Sequence, residues 1–156
     1  MSSEAEIRKR KIYRVTFVGF VVNLRTGMAR LVFSGSENKN TFIIAGGVAG
    51  TPLEVASVVI TRKNTCEGYA EGGSFCGIST PYKVYFVAEF NKSCIESGIW
   101  KEGDIYKGQT FSEGKNSGVF FTFAGTDSLL LYKIGISYVS VANARENLKA
   151  ENNEWD

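Results

Sequence analysis

Leu129-Leu130-Leu131-Tyr132-Lys133-Ile134-Gly135-Ile136-Ser137-Tyr138-Val139 decides the fold. Every even position from Leu130 to Tyr138 is apolar, the period of two expected of a strand that hides one face. At Ser140 the period changes. In the following Val141-Ala142-Asn143-Ala144-Arg145-Glu146-Asn147-Leu148-Lys149-Ala150, the apolar Val141, Ala144 and Leu148 share one side of a helix. Ser140 has the chemistry of its N-cap. A buried strand therefore runs directly into a short amphipathic helix.

Working back along the chain, Tyr82 to Phe90 repeats the strand signature, with Tyr82, Val84, Phe86, Ala88 and Phe90 apolar and Lys83 and Glu89 on the other face. This reads as a central strand. Leu53 to Thr61 is β-branched and extended, and Arg62-Lys63-Asn64 turns it into a partner near Thr65 to Ala70. Ile12 to Leu24 reads as a strand or strand pair bent at Gly19. Met28 to Phe33 and Thr41 to Ala45 are two more strands, the former with Ala29, Leu31 and Phe33 on one face and Arg30 on the other. Val119 to Phe123 resumes the sheet before the Gly125-Thr126-Asp127 turn. Between them, Asn91 to Asn116 reads as a polar, loop-rich region with only short strands around Ile99-Trp100 and Tyr106, a place where function is often carried. Eight to ten strands joined by short turns, each with a face to hide, predict an all-β, two-sheet antiparallel sandwich closed by one short C-terminal helix. Residues 1–11 form a charged tail and 12–156 the sandwich domain.

Composition agrees. Eleven Phe, seven Tyr and seventeen Gly against two Pro favour strands and turns over helices. At 156 residues the chain is one domain, able to bury roughly two-thirds of its unfolded surface. A net charge of +2, with basic residues clustered only at Arg8-Lys9-Arg10-Lys11, offers no footprint for nucleic acid. No run has the length of a membrane span, and the N-terminus lacks the apolar core of a secretory signal. No self-similar period points to a propeller or solenoid.

Histidine is absent. That removes Ser-His-Asp and Cys-His nucleophile systems, His-based zinc sites and the commonest general base. Cys66, Cys76 and Cys94 are an odd set without zinc-ribbon spacing; Cys66 and Cys76 flank a Gly-rich loop that a disulfide would close, and buried reduced thiols are the alternative. Asn91-Lys92-Ser93 is a lone glycosylation sequon. Paired carboxylates remain available for glycoside hydrolysis among Glu67, Glu71, Glu89, Glu96, Glu102, Asp104, Glu113 and Asp127. Turn and strand positions make these solvated charges, with Glu89 the one set among apolar neighbours and expected to lie on the wet sheet face or to pair with a cross-strand Lys or Arg rather than serve as a raised-pKa acid.

Gly72-Gly73-Ser74-Phe75-Cys76-Gly77 lacks the lysine and the following helix of a phosphate loop. Its glycines would let backbone approach a sugar or a second domain, with Phe75 offering an apolar face; an ordinary hairpin connection is the plainer alternative. Trp100 and Trp155 have the flat faces that stack on sugars, and equally the bulk that fills a core or a domain interface. Trp155, near the terminus, is expected to bury itself against something outside this chain.

The stretch Lys133-Ile134-Gly135-Ile136-Ser137-Tyr138-Val139-Ser140-Val141-Ala142-Asn143-Ala144, continuing to Leu148, Ala150-Glu151 and Trp155-Asp156, resembles the end of the N-terminal β-sandwich domain of glycoside hydrolase family 92. Asn23-Leu24-Arg25-Thr26-Gly27 resembles that family's turn between sandwich strands. Glu67-Gly68-Tyr69-Ala70, Gly72 to Gly77, Tyr82 to Phe90, Ser97-Gly98-Ile99-Trp100 and Gly114 to Val119 follow in the family's order. The resemblance implies a partial sandwich of a calcium-dependent, inverting exo-α-mannosidase that acts outside the cytoplasm, as a secreted, periplasmic or cell-surface protein. Its partners would be a helical (α/α)-barrel catalytic domain, which holds the calcium, and mannose-containing glycans. The family's His-containing early segment and its catalytic domain have no counterpart here, and Asn152-Asn153-Glu154 stands where the family has Pro-Gly before Trp-Asp. No catalytic or metal residue is therefore carried over. Gly72, Gly73, Ser74, Phe75, Trp100 and Trp155 are the candidate sugar or domain-interface residues. A free-standing carbohydrate-binding module using Phe75, Trp100 or Tyr106 is the alternative.

Overall fold

The computed structural model describes residues 16–22, 25–33, 39–45, 53–73, 81–126 and 129–155. Eleven strands and one helix occupy them: β1 (Thr16–Val22), β2 (Thr26–Val32), β3 (Lys39–Ala45), β4 (Leu53–Arg62), β5 (Thr65–Gly72), β6 (Tyr82–Phe90), β7 (Glu96–Lys101), β8 (Asp104–Lys107), β9 (Phe111–Gly114), β10 (Ser117–Ala124), β11 (Leu129–Ser137) and α1 (Val141–Glu151). They form two antiparallel sheets, one ordered β1-β2-β11-β6-β5-β4-β9 and the other β3-β10-β7-β8. The sandwich is the one the strand pattern predicts, with β6 at the centre of the larger sheet.

Alternation places the core. From the larger sheet Leu31, Val58, Cys66, Phe90 and Leu130 point inward, and from the smaller sheet Ile99, Val119, Phe121 and Phe123 meet them. Phe90 is the hub. Its ring centroid lies 5.1 Å from Phe42 and Phe123, 5.2 Å from Phe121 and 5.3 Å from Tyr132, within the range where aromatic pairs add to plain burial. In β10, inward Val119, Phe121 and Phe123 alternate with Phe120 and Thr122, which are buried too, so this strand is covered on both faces.

Two expectations need correcting. Asn91 to Asn116 is not mainly loop: the short strands expected around Ile99-Trp100 and Tyr106 are β7 and β8, which extend the smaller sheet, and a further strand, β9, pairs with β4. Strands of four residues joined by tight turns leave too few apolar positions to show a period. Further along, β11 does not hide only its even face. Tyr138 is 72% exposed, while Lys133, Gly135 and Ser137 on the odd face are buried. α1 is the cause. It lies on the outer face of the larger sheet, where Ala144 and Leu148 pack with Val87 in a second small core joined by Val141. A Cβ added to Gly135 would stand 2.5 Å from the Ala144 carbonyl oxygen and 2.7 Å from Leu148 Cβ. The absence of a side chain there is what lets the helix come so close.

The helix begins where the sequence places it. Ser140 is extended, and its Oγ accepts the Asn143 N–H at 3.0 Å. Further ties hold α1 to the sheet. Asn147 Nδ2 donates to the Ile136 carbonyl at 2.9 Å, and Ser137 Oγ donates to Asn143 Oδ1 at 2.9 Å. Arg145 pairs with Glu67 of β5, and Arg25 Nε donates to Glu151 Oε1 at 2.6 Å.

Candidate functional site

The expected site residues do not converge on one place within the described residues. Gly72 closes β5, opposite Leu53 and Tyr82, and Gly73 follows it; both are buried backbone positions. Ser74, Phe75 and Cys76 lie outside the described residues. Cys66 and Cys94 are free thiols in the core.

Trp100 occupies β7, on the face away from the core. It pairs with Gly118 of β10 and Ile105 of β8, and its indole lies against Gly118, where an added Cβ would fall 2.6 Å from Nε1. That nitrogen is buried and finds no hydrogen-bond acceptor. An unpaired buried donor is an uncommon and costly feature. Tyr106 sits opposite Ile99, which points into the core. Trp100 and Tyr106 therefore project from opposite sides of the smaller sheet and cannot form one aromatic platform.

Trp155 is half-buried, and its ring covers Lys133 Nζ at 4.2 Å from the centroid. The sequence reading assigned no role to Lys133 beyond its place in β11. A lysine facing a helix looks, in sequence, the same as one facing water.

Four of the eight candidate carboxylates are engaged by cations. Glu67 meets Arg145, Glu71 lies 3.2 Å from Lys83 Nζ, and Glu96 lies 2.7 Å from Lys107 and 3.7 Å from Lys39. Glu89 faces its cross-strand partner Lys133 at 3.8 Å, as its position in a central strand predicts. Among the described residues no group of three or more His, Cys, Asp or Glu side chains is placed to hold a metal ion.

A different surface stands out at the β11–α1 junction. Tyr138 and Val139 are 72% and 74% exposed side by side. Beside them a hollow of about 230 Å³ opens between Arg25, Ile136 and Asn143. The sequence signal was present, since Tyr138 continues the apolar period, but the period alone places it in the core rather than on the surface.

The sequence profile of the glycosyl hydrolase family 92 N-terminal domain matches residues 5–137. This chain belongs to that family. The family 92 sandwich is shared with solved structures. A family 92 glycosyl hydrolase, ccman5, superposes with a TM-score of 0.76 at 22% identity, over 88% of this chain and 18% of that one. An inverting mannosidase of the family from Bacteroides thetaiotaomicron VPI-5482 gives 0.74 at 18% identity, over 88% and 18%. The family's α-mannosidase from Bacteroides thetaiotaomicron in complex with mannoimidazole gives 0.70 at 22%, over 85% and 18%. The family 92 domain described here thus spans 18% of the length of each of these proteins. No curated protein sequence matches it. Among the described residues no helix is long and apolar enough to cross a membrane.

Proposed function

We propose that this chain is the N-terminal sandwich module of an α-mannosidase, a structural unit that shapes the sugar pocket while hydrolysis of terminal α-linked mannose belongs to a catalytic barrel domain. That larger domain would bind the calcium, and the enzyme would meet mannose-containing glycans outside the cytoplasm. The observation that carries this reading is the lopsided coverage: 88% of this chain but 18% of ccman5 and of the inverting mannosidase. Glycoside hydrolysis needs one carboxyl free to donate a proton and a second to activate water or attack. Here Glu67, Glu71, Glu89 and Glu96 are each occupied by lysine or arginine. The exposed pair Tyr138 and Val139 offers an apolar contact of the kind a neighbouring domain covers.

The test is turnover. Purified 156-residue chain, supplied with calcium and an aryl α-mannoside, is expected to release no aglycone above the blank; sustained release would overturn the reading.

One observation favours a second reading, a free-standing carbohydrate-binding module: Trp100 stands on the outward face of the smaller sheet and is only half-buried. Mannose and mannan titrated against the chain separate the two. Saturable quenching of tryptophan fluorescence that disappears in Trp100→Ala supports the module, whereas a flat titration supports the structural role.

A further inference from the structure

Lys133 is 4% exposed, and a lysine so buried must have its charge answered. Its ammonium has three protons to place. Nζ donates to the carbonyl oxygens of Asn152 at 3.2 Å and Asn153 at 2.9 Å. Glu89 Oε2 stands 3.8 Å away across the β6–β11 ladder. The ring of Trp155 closes the remaining side, its centroid 4.2 Å from Nζ, well within the reach of a cation–π contact. Everything that answers the charge, Glu89 excepted, comes from the four residues that follow α1.

The backbone at that point is shaped for the contact. α1 stops at Glu151, and Asn152 leaves the helix at φ −150° and ψ 53°, its N–H still bonded to the Leu148 carbonyl at 2.9 Å. Carbonyls just past a helix end ordinarily turn to water. Those of Asn152 and Asn153 turn inward to the sheet instead. Neither asparagine side chain makes the contact, so it depends on the path of the main chain and on Lys133.

We propose that Lys133 is a latch: it binds residues 152–155 as a strap across the outer face of the larger sheet and so sets the direction in which the polypeptide leaves the sandwich. The dependence is mutual. Without the strap the ammonium keeps only Glu89 and gains water. Without the ammonium, two carbonyls and an indole lose the partner that holds them against the sheet. Neither half of this contact requires the mannosidase reading, and both reside in this chain.

The test uses Trp100→Phe as background, which leaves Trp155 as the one tryptophan of the chain. Adding Lys133→Met keeps the apolar stem and removes the donors. Trp155 emission is then expected to shift to the red, and its acrylamide quenching to rise several-fold, while the far-ultraviolet β spectrum is retained. Trypsin cleavage after Lys149, in the last turn of α1, is expected to speed up about tenfold as the strap opens. If the folded variant shows unchanged quenching and unchanged cleavage, there is no latch. Should Lys133→Met fail to fold, Trp155→Ala in the native background leaves the ammonium in place and removes the lid. Cleavage after Lys149 must again rise about tenfold, and cleavage at the wild-type rate overturns the proposal.

Discussion

Cys66 is fully buried, and burial, aided by the neighbouring Glu67 carboxylate, pushes its thiol from 9.0 up to about 12. The thiolate is the reactive form, so the native protein is expected to leave Cys66 unmodified by a thiol reagent at pH 8 until denaturant is added. The same shift links stability to pH. Between the unfolded value near 9 and the folded value near 12, the unfolded chain releases a proton that the native state retains. Stability is therefore unaffected below the unfolded value and falls as pH rises through the window, by up to about 1.4 kcal/mol per unit. Burial raises the Cys94 thiol as well, adding in the same direction. Urea midpoints from pH 8 to 10.5 should show the decline, and Cys66→Ala should remove most of it; an unchanged slope in that variant would assign the effect to other groups. The core position of Cys66 was open to the sequence reading, as a buried thiol or half of a loop-closing disulfide. Its protonation depends on Glu67 and on both sheets, which no local pattern reports. Lys133 makes the same point more sharply: its neighbours Glu89, Asn152 and Trp155 are scattered along the chain and meet only once the helix is docked.

At the scale of elements, the strands legible in advance were the long ones with a clear apolar alternation. β6 and β11 announced themselves by alternation, and α1 by its change of period and its Ser140 cap. β7 and β8 were legible only as short strands around Ile99-Trp100 and Tyr106, and β9 not at all, because four residues reading Phe-Ser-Glu-Gly carry little pattern and owe their place to the partner β4. The odd face of β11 was misread for a related reason: a glycine in a strand is silent about what approaches it. Gly135→Ala tests that approach directly. In an uncovered strand the change would be neutral or favourable, since alanine loses less entropy than glycine on folding. Beneath α1 the new Cβ meets the Ala144 carbonyl and Leu148, and the expected result is a loss of about 2 kcal/mol in urea unfolding. The sign of the change thus reports whether the helix is seated. Ser140→Ala should cost about 1 kcal/mol by leaving the Asn143 N–H without its acceptor, with the loss appearing in the same transition.

For the whole molecule, the arrangement of the two cores fixes how it should come apart. The sandwich core and the smaller cluster under α1 lie on opposite faces of the same two strands, β6 and β11: Phe90 and Leu130 point one way, Val87 and Gly135 the other. Damage on the helix side must therefore be felt by the ladder that carries the sandwich. Leu148→Ala, which leaves a void against Val87, is expected to cost about 2–5 kcal/mol. That cost should lower the single melting transition seen both in the far-ultraviolet β signal and in the near-ultraviolet signal of the buried aromatic rings. If α1 were instead an appendage, the variant would show an early loss of helical signal with the aromatic signal and its midpoint unmoved. The distinction bears on function. A module whose C-terminal helix unfolds only with the sandwich holds residues 152–155 in a fixed place, and a fixed place is what the proposed neighbouring domain would need in order to dock against it.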